Sequence, residues 1–167
     1  MKLNKFYFFG FLLLLMLVFS GCSKKETDMN VLSDDGQFHY RNELLKFSIS
    51  LPAEFEHYVT QRKDETDYSD LEFFVPSSDT ANYVQEVPGY AKPIVVRVFK
   101  KDIWQKWQNN QASSSDFTIL VSDSDEVIAD KGDYIYVIKY WTNIPSDWQE
   151  KWNNDMKEKI KSSFEVN

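Results

Sequence analysis

The amino-acid sequence predicts an α+β domain in which a mainly antiparallel, twisted sheet packs with two or so helices. Three observations carry that reading. Between Phe38 and Val75 apolar and polar residues alternate with the period of strands. Ile94 to Phe99 is a dense β-branched run that passes into helical spacing at Ile103, Trp104 and Trp107. Near the end, Trp148, Trp152, Met156 and Ile160 recur every four residues. Strands first and helices afterwards, against a mostly antiparallel sheet, make the pattern of an α+β sandwich.

Ahead of these elements, Lys2 and Lys5 precede the apolar run FYFFGFLLLLMLVFS. A short basic start followed by such a run has the layout of a secretory signal. A permanent transmembrane helix needs roughly 20 apolar residues, whereas this run is broken by Ser20 and Gly21 and continues into SKKETD. The residues FSGC, Phe19 to Cys22, resemble the lipobox of bacterial lipoproteins, in which small residues precede a cysteine that becomes the lipidated N-terminus. Ser20 and Gly21 match that pattern, while Phe19 stands where Leu or a smaller aliphatic is usual.

The resemblance implies cleavage between Gly21 and Cys22 and a diacylglyceryl group on Cys22. Two acyl chains anchor a protein stably where one binds only marginally. The expected location is therefore outside the cytoplasm, on the outer face of the cell membrane, or at the outer membrane in a host that has two. Cys22 is the only cysteine, so the exported domain has no disulfide and must rest on packing. The expected organisation is a signal peptide over 1–21, a lipidated flexible tether over 22–37 and one globular domain over 38–167. Without its leader the chain has 146 residues, enough for a single domain that buries about 70% of its unfolded surface. It would carry 17 basic and 26 acidic side chains, a net of −9 that disfavours nucleic acid or anionic lipid as a partner held by charge alone.

The elements follow in order. Ser23 to Gln37 is polar and ends in a DDG turn signal, as a tether should. Phe38 and Tyr40 alternate before a turn at Arg41, Asn42 and Glu43. Leu45, Phe47, Ile49 and Leu51 alternate after it, and Pro52 ends the second strand. AEFEHYVTQ reads as a further strand carrying His57, and Asp67 to Pro76 as another, with Leu71, Phe73 and Val75 on one side. Ser77 to Pro93 is loop-like. Ile94 to Phe99 is a central strand, after which Asp102 is placed to cap a short helix. A short strand is expected near Phe117 to Val121, then a hairpin turning at Asp130 to Asp133. On its second arm Tyr134, Tyr136, Ile138 and Tyr140 point one way and Ile135, Val137 and Trp141 the other. Ser146 and Gln149 have capping-box spacing, so the last helix is expected to start there, with Asp147 and Glu150 in its first turn. SFEV is read as a returning edge strand.

This order resembles the PsbP-like fold, known from an extrinsic subunit of photosystem II and from small bacterial lipoproteins. Tyr40 and Asn42 before FSISLP, the IVVRVFKKDIW strand and helix, and the terminal hairpin, helix and SFEV carry the likeness. It implies an accessory or scaffolding role.

No group of residues stands out as catalytic. DSDEVIAD places Val127 and Ile128 where a calcium loop needs a ligand and a Gly, and DETDYSD fails in the same way. His39 and His57 lack a second His or Cys at ligand spacing. Ser113 to Ser115 have no Gly elbow, and pairs such as Glu72 with Glu86 are what any acid-rich chain offers. No metal or cofactor is expected. The aromatic residues Trp104, Trp107, Trp141, Trp148, Trp152, Tyr134, Tyr136 and Tyr140 are candidates either for the core or for an exposed binding platform, and their spacing does not separate the two. The expected function is a non-enzymatic envelope lipoprotein, attached to the membrane through Cys22, that binds or supports an envelope protein or glycan. The alternative is a small-molecule or glycan-binding module using the Tyr/Trp-rich faces. A hydrolase built on scattered carboxylates ranks third.

Overall fold

The structure, a computed structural model, describes residues 30–109 and 125–167. The leader, Gly21, Cys22, the first part of the tether, Ser113 to Ser115 and the strand expected near Phe117 to Val121 lie outside the described residues. The elements run β1 (Gln37–Asn42), β2 (Phe47–Pro52), β3 (Val59–Asp64), β4 (Tyr68–Pro76), β5 (Tyr90–Lys100), α1 (Lys101–Gln108), β6 (Glu126–Lys131), β7 (Tyr134–Tyr140), α2 (Asn154–Ser162) and β8 (Glu165–Val166). The strand pairings are antiparallel, in the α+β class that the alternation predicts. The strands form two sheets, ordered β1-β2-β8 and β3-β4-β5-β7-β6.

The split between the sheets follows from the chain after Pro52. Ala53–Phe55 is a 3-10 turn that drives Phe55 fully into the core, and His57 has a φ of 63°, in the left-handed region. AEFEHYVTQ is thus not one strand. His57 sits exposed on the turn that lifts the chain into the second sheet. The inner faces then meet: Phe47, Ile49 and Leu51 of β2 share one core with Leu71, Phe73 and Val75 of β4, Ile94, Val96 and Val98 of β5, and Tyr136 and Ile138 of β7. Aromatic edges join the layers, with Tyr40 5.1 Å from Phe73 and Phe47 6.2 Å from Tyr136, centroid to centroid.

Two helix starts differ from expectation. In α1 the N-cap is Lys100, without a side-chain bond, and Asp102 lies inside the first turn. The final helix begins eight residues after Ser146, at Asn154, because Asn153 caps it: its Oδ1 accepts the Met156 N–H at 2.9 Å. Ser146 makes no capping box, and its N–H donates instead to Asp79 Oδ2 at 2.9 Å. Asp147 leaves the expected helical turn to accept from the Ser77 hydroxyl at 2.9 Å and the Ser78 N–H at 2.8 Å. The four-residue spacing still works, since Trp148 and Trp152 reach the same core as Met156 and Ile160 from turns rather than a helix.

SFEV does return as an edge strand, and β8 pairs with β2 only at Phe47 and Ser48. Beyond that point Ser163 takes over the open edge. Its hydroxyl accepts the Ser50 N–H at 2.9 Å, as the carbonyl of a next strand residue would, while its own proton has the Ile160 carbonyl at 2.7 Å and the Ser50 carbonyl at 3.2 Å within reach. Among the described residues no helix is long and apolar enough to cross a membrane.

Candidate functional site: a charged cleft on the outer sheet face

The outer face of the five-stranded sheet divides into two zones. At one end α1 covers it, with Trp104, Ile103 and Trp107 packed on Phe99, Ile135 and Val137. At the other end antiparallel register sets charged residues side by side. Asp70 on β4 lies opposite Lys63 on β3 and Arg97 on β5, and Glu72 is one pleat further along the same face of β4. Asp70 is 7% exposed, Glu72 4% and Arg97 8%, so these charges are interior ones. A buried charge is costly unless it is paired.

The pairing is close. Arg97 Nε and Nη2 donate to the two oxygens of Asp70 at 2.7 and 2.6 Å, a bidentate fork. The guanidinium also lies 4.0 Å from the centroid of the Tyr68 ring. Burial alone lowers the Arg97 pKa, but the Asp70 contact outweighs it and holds the group above its ordinary value. Glu72 is shared between two lysines: Lys92 donates to Oε1 at 2.6 Å, and Lys63 Nζ lies 2.9 Å from Oε2. Burial pushes the Glu72 carboxyl up, yet the two lysines prevail and keep it below the usual carboxylate range. Lys139 pairs with Asp125 at 3.0 Å, and that carboxylate's side chain is 3% exposed.

Lys92 reaches this face through a β-bulge. In an unbroken ladder it would share the inner face with Ile94 and Val96. Phe73 pairs with Ile94 and Val75 with Ala91, however, so Lys92 and Pro93 together oppose the single residue Phe74. The extra residue turns Lys92 outward over Phe74, 6.0 Å from its ring centroid, and onto Glu72. Such bulges re-aim side chains beside functional sites, and a strand proline belongs at one. Next to it β7 ends, and Trp141 bonds back from its N–H to the Pro93 carbonyl at 3.1 Å. The result is a cleft of about 290 Å³ lined by Asp70, Glu72, Lys92, Val95, Arg97, Lys139, Tyr140, Trp141 and Thr142.

Another depression, of about 500 Å³, lies beside β1 and the start of β3, between Leu32, Phe38, Ala53, Tyr58 and Val59. Its polar lining residues are Asn30, Glu56, His57 and Tyr58, and its two charged or titratable turn residues, Glu56 and His57, are exposed rather than buried, so the smaller cleft, with its buried charges, is the better candidate.

The aromatic residues named from the sequence separate into three groups. Trp104 and Trp107, 4.8 Å apart, belong to the α1 cover. Tyr134 and Tyr136 face the inner core beside Phe164, and the Tyr136 hydroxyl donates to the Leu45 carbonyl at 3.1 Å. Trp141, Trp148 and Trp152 form a cluster with Phe55 and Tyr140: the Trp141 ring is 5.7 Å from Trp148 and 5.0 Å from Trp152. Trp141 therefore does not continue the Ile135 and Val137 face. Beyond the end of β7 its ring turns toward the inner cluster, and one side of the residue lines the cleft. The indole N–H groups of Trp141 and Trp152 are buried and have no hydrogen-bond partner among the described residues. Burial raises the Tyr140 pKa well above the ordinary phenol value.

His39 bonds Ser50 at 2.9 Å and lies 3.0 Å from Asp35. Glu72 and Glu86, imagined as an acid and base, meet only through Lys63, which is 3.9 Å from Glu86. Sequence reasoning missed Asp70, Arg97, Lys92 and Lys139. The available signal was a charge inside each apolar strand, DLEFFV and IVVRVF.

No family model matches this chain, and neither a curated protein nor a solved structure does.

Proposed function

We propose that this chain is a non-enzymatic lipoprotein of the bacterial cell envelope, anchored through lipid on Cys22, whose domain holds another envelope component in the outer-face cleft. The observation that carries the binding half is the complete pairing of Asp70, Glu72 and Asp125 with cations. A general base or acid works best with a pKa near the operating pH, and Glu72 is held below even the normal carboxylate value. Such a cleft is suited to holding polar groups rather than reacting with them. FSGC supports the anchored half, and the PsbP-like order of elements supports an accessory role.

Two measurements test the two halves. Metabolic labelling with a fatty acid should tag the native chain and not a Cys22→Ser variant. An unlabelled native chain would remove the anchor. A photocrosslinker at Thr142, on the exposed rim of the cleft, should capture one reproducible envelope component from intact cells, while the same group at Lys131, on the distant hairpin, should not. Equal capture at both positions would remove the cleft from the account.

A further inference from the structure

We propose that the depression between the edges of β1 and β3, together with Val31 and Leu32 ahead of β1, is a docking face that lies on the lipid surface holding the anchor. This rests on reading Cys22 as the lipidated residue and adds which side of the domain meets the bilayer. β1 and β3 are each the outermost strand of their sheets, and the Phe38 and Tyr58 rings, 5.8 Å apart, join them. Beside those rings lies the depression of about 500 Å³, which Leu32 and Val59 both line. Leu32 is 48% exposed, Val59 39%, and Val31, next to Leu32 in the chain, 57%. Scattered singly, exposed aliphatic residues mean little. Here three of the six large exposed hydrophobic residues among the described ones fall at one place, and Leu44, Tyr83 and Val127 line none of it.

What covers this face follows from where the chain leads. From Asn30 onward the chain is fastened to the domain: Asn30 lines the same depression, the Ser33 N–H donates to the Gln37 carbonyl at 2.9 Å, and the Gly36 N–H donates to the Ser33 carbonyl at 2.9 Å. Only seven residues, Ser23 to Met29, separate Asn30 from Cys22. Even fully extended, such a length spans at most roughly 28 Å, and the headgroup layer takes up roughly 5–8 Å of that. Three aliphatic side chains hold lipid weakly from solution, but a short tether makes the contact intramolecular, at an effective concentration on the order of millimolar. Glu56 lines the depression too, on a chain with 26 acidic and 19 basic side chains. The contact is therefore apolar and does not select anionic headgroups.

The test uses the full-length lipidated chain in phosphatidylcholine vesicles. With Cys22 closed as a thioether, one added cysteine takes a small environment-sensitive fluorophore. It is placed either at Thr60, in an adjoining hollow shared with Asn30 and Val59, or at Val127 on β6, the opposite edge of the five-stranded sheet. Spin-labelled acyl chains should quench the fluorophore of Thr60→Cys several-fold more than that of Val127→Cys. Combining Val31→Ser, Leu32→Ser and Val59→Thr, all at exposed positions, should remove most of that difference. Lengthening the Ser23–Met29 segment fourfold with Gly and Ser should lower the ratio of docked to undocked chains about eightfold, as the −3/2 power of length. Equal quenching at the two positions, or unchanged quenching in the folded triple variant, would overturn the proposal. So would a blue shift at Thr60→Cys without quenching, because protein, a second copy or another partner, would then cover the face. Flotation separates the two readings: a native chain that does not float with the vesicles removes the anchor and this face with it, whereas a floating chain whose Thr60→Cys fluorophore stays bright removes this face alone.

Discussion

On its inner face the five-stranded sheet presents Leu71, Phe73, Ile94, Val96, Tyr136 and Ile138. One residue along the same strands, the outer face presents Asp70, Glu72, Arg97 and Lys139. Both sets are largely withdrawn from water, but they are held by different physics. The inner face gains from every apolar atom removed from solvent and asks only for shape. The outer face gains little from burial and asks for partners, because an ion pair in the interior barely recovers its desolvation. A sheet stabilised on one side can carry a costly arrangement on the other.

The sharpest way to break the comparison is to cut into each face separately. Phe73→Ala, at a fully buried inner position, should cost about 3–5 kcal/mol in urea denaturation. Arg97→Ala should cost about 3 kcal/mol by stranding Asp70. Replacing both members, as Arg97→Met with Asp70→Leu, should be neutral or stabilising by about 1–4 kcal/mol while altering the cleft. A double variant as unstable as Arg97→Ala would mean that the pair is a net stabiliser and the contrast between the faces is false.

Smaller effects sharpen the picture at the edges. Ser163→Ala leaves the Ser50 N–H without its partner and should cost about 1–3 kcal/mol. Asn153→Ala removes the cap of α2 and should cost about 1 kcal/mol, both read from denaturation midpoints. The smallest effect is with acid. Asp79 is held below its ordinary value by the Ser146 N–H and then by Asn82. Burial pushes Asp147 up, but the Ser78 N–H and the Ser77 and Ser78 hydroxyls prevail and hold it low as well. Groups with lowered folded pKa values contribute stability that is fully present above the unfolded carboxylate value, about 4, and is lost as pH falls through the folded values. Denaturation midpoints should therefore hold from pH 7 to 5 and drop below 4, and Asp147→Asn should flatten that drop.

Much of the fold was legible, since alternation marks an inner face wherever one side of a strand is apolar. β2, β4 and the Tyr136 strand follow from it directly. The Trp148 to Ile160 stripe placed the right residues in the core, but a four-residue period does not say whether a helix or a series of turns delivers them; Asn153, a better cap in its setting than Ser146, decided the start. The aromatic inventory was visible, and so was the question it raised: most of these rings are interior or covered, and of these residues Tyr140 and Trp141 line the cleft. The cleft itself was not legible. Arg97 and Asp70 are 27 residues apart in sequence and meet only through register, and the bulge that turns Lys92 outward is a pairing irregularity that no single strand records.

The hydroxyl of Ser163 has a bearing on crowding. An incomplete sheet margin invites a neighbouring molecule to extend it, and the membrane anchor proposed above would repeat that invitation by raising the local density of copies. By accepting the Ser50 N–H from within the same chain, one small side chain removes the donor that strand-by-strand growth at that margin would use. Its removal would then be felt less in the isolated monomer than in the tendency of packed copies to zip together.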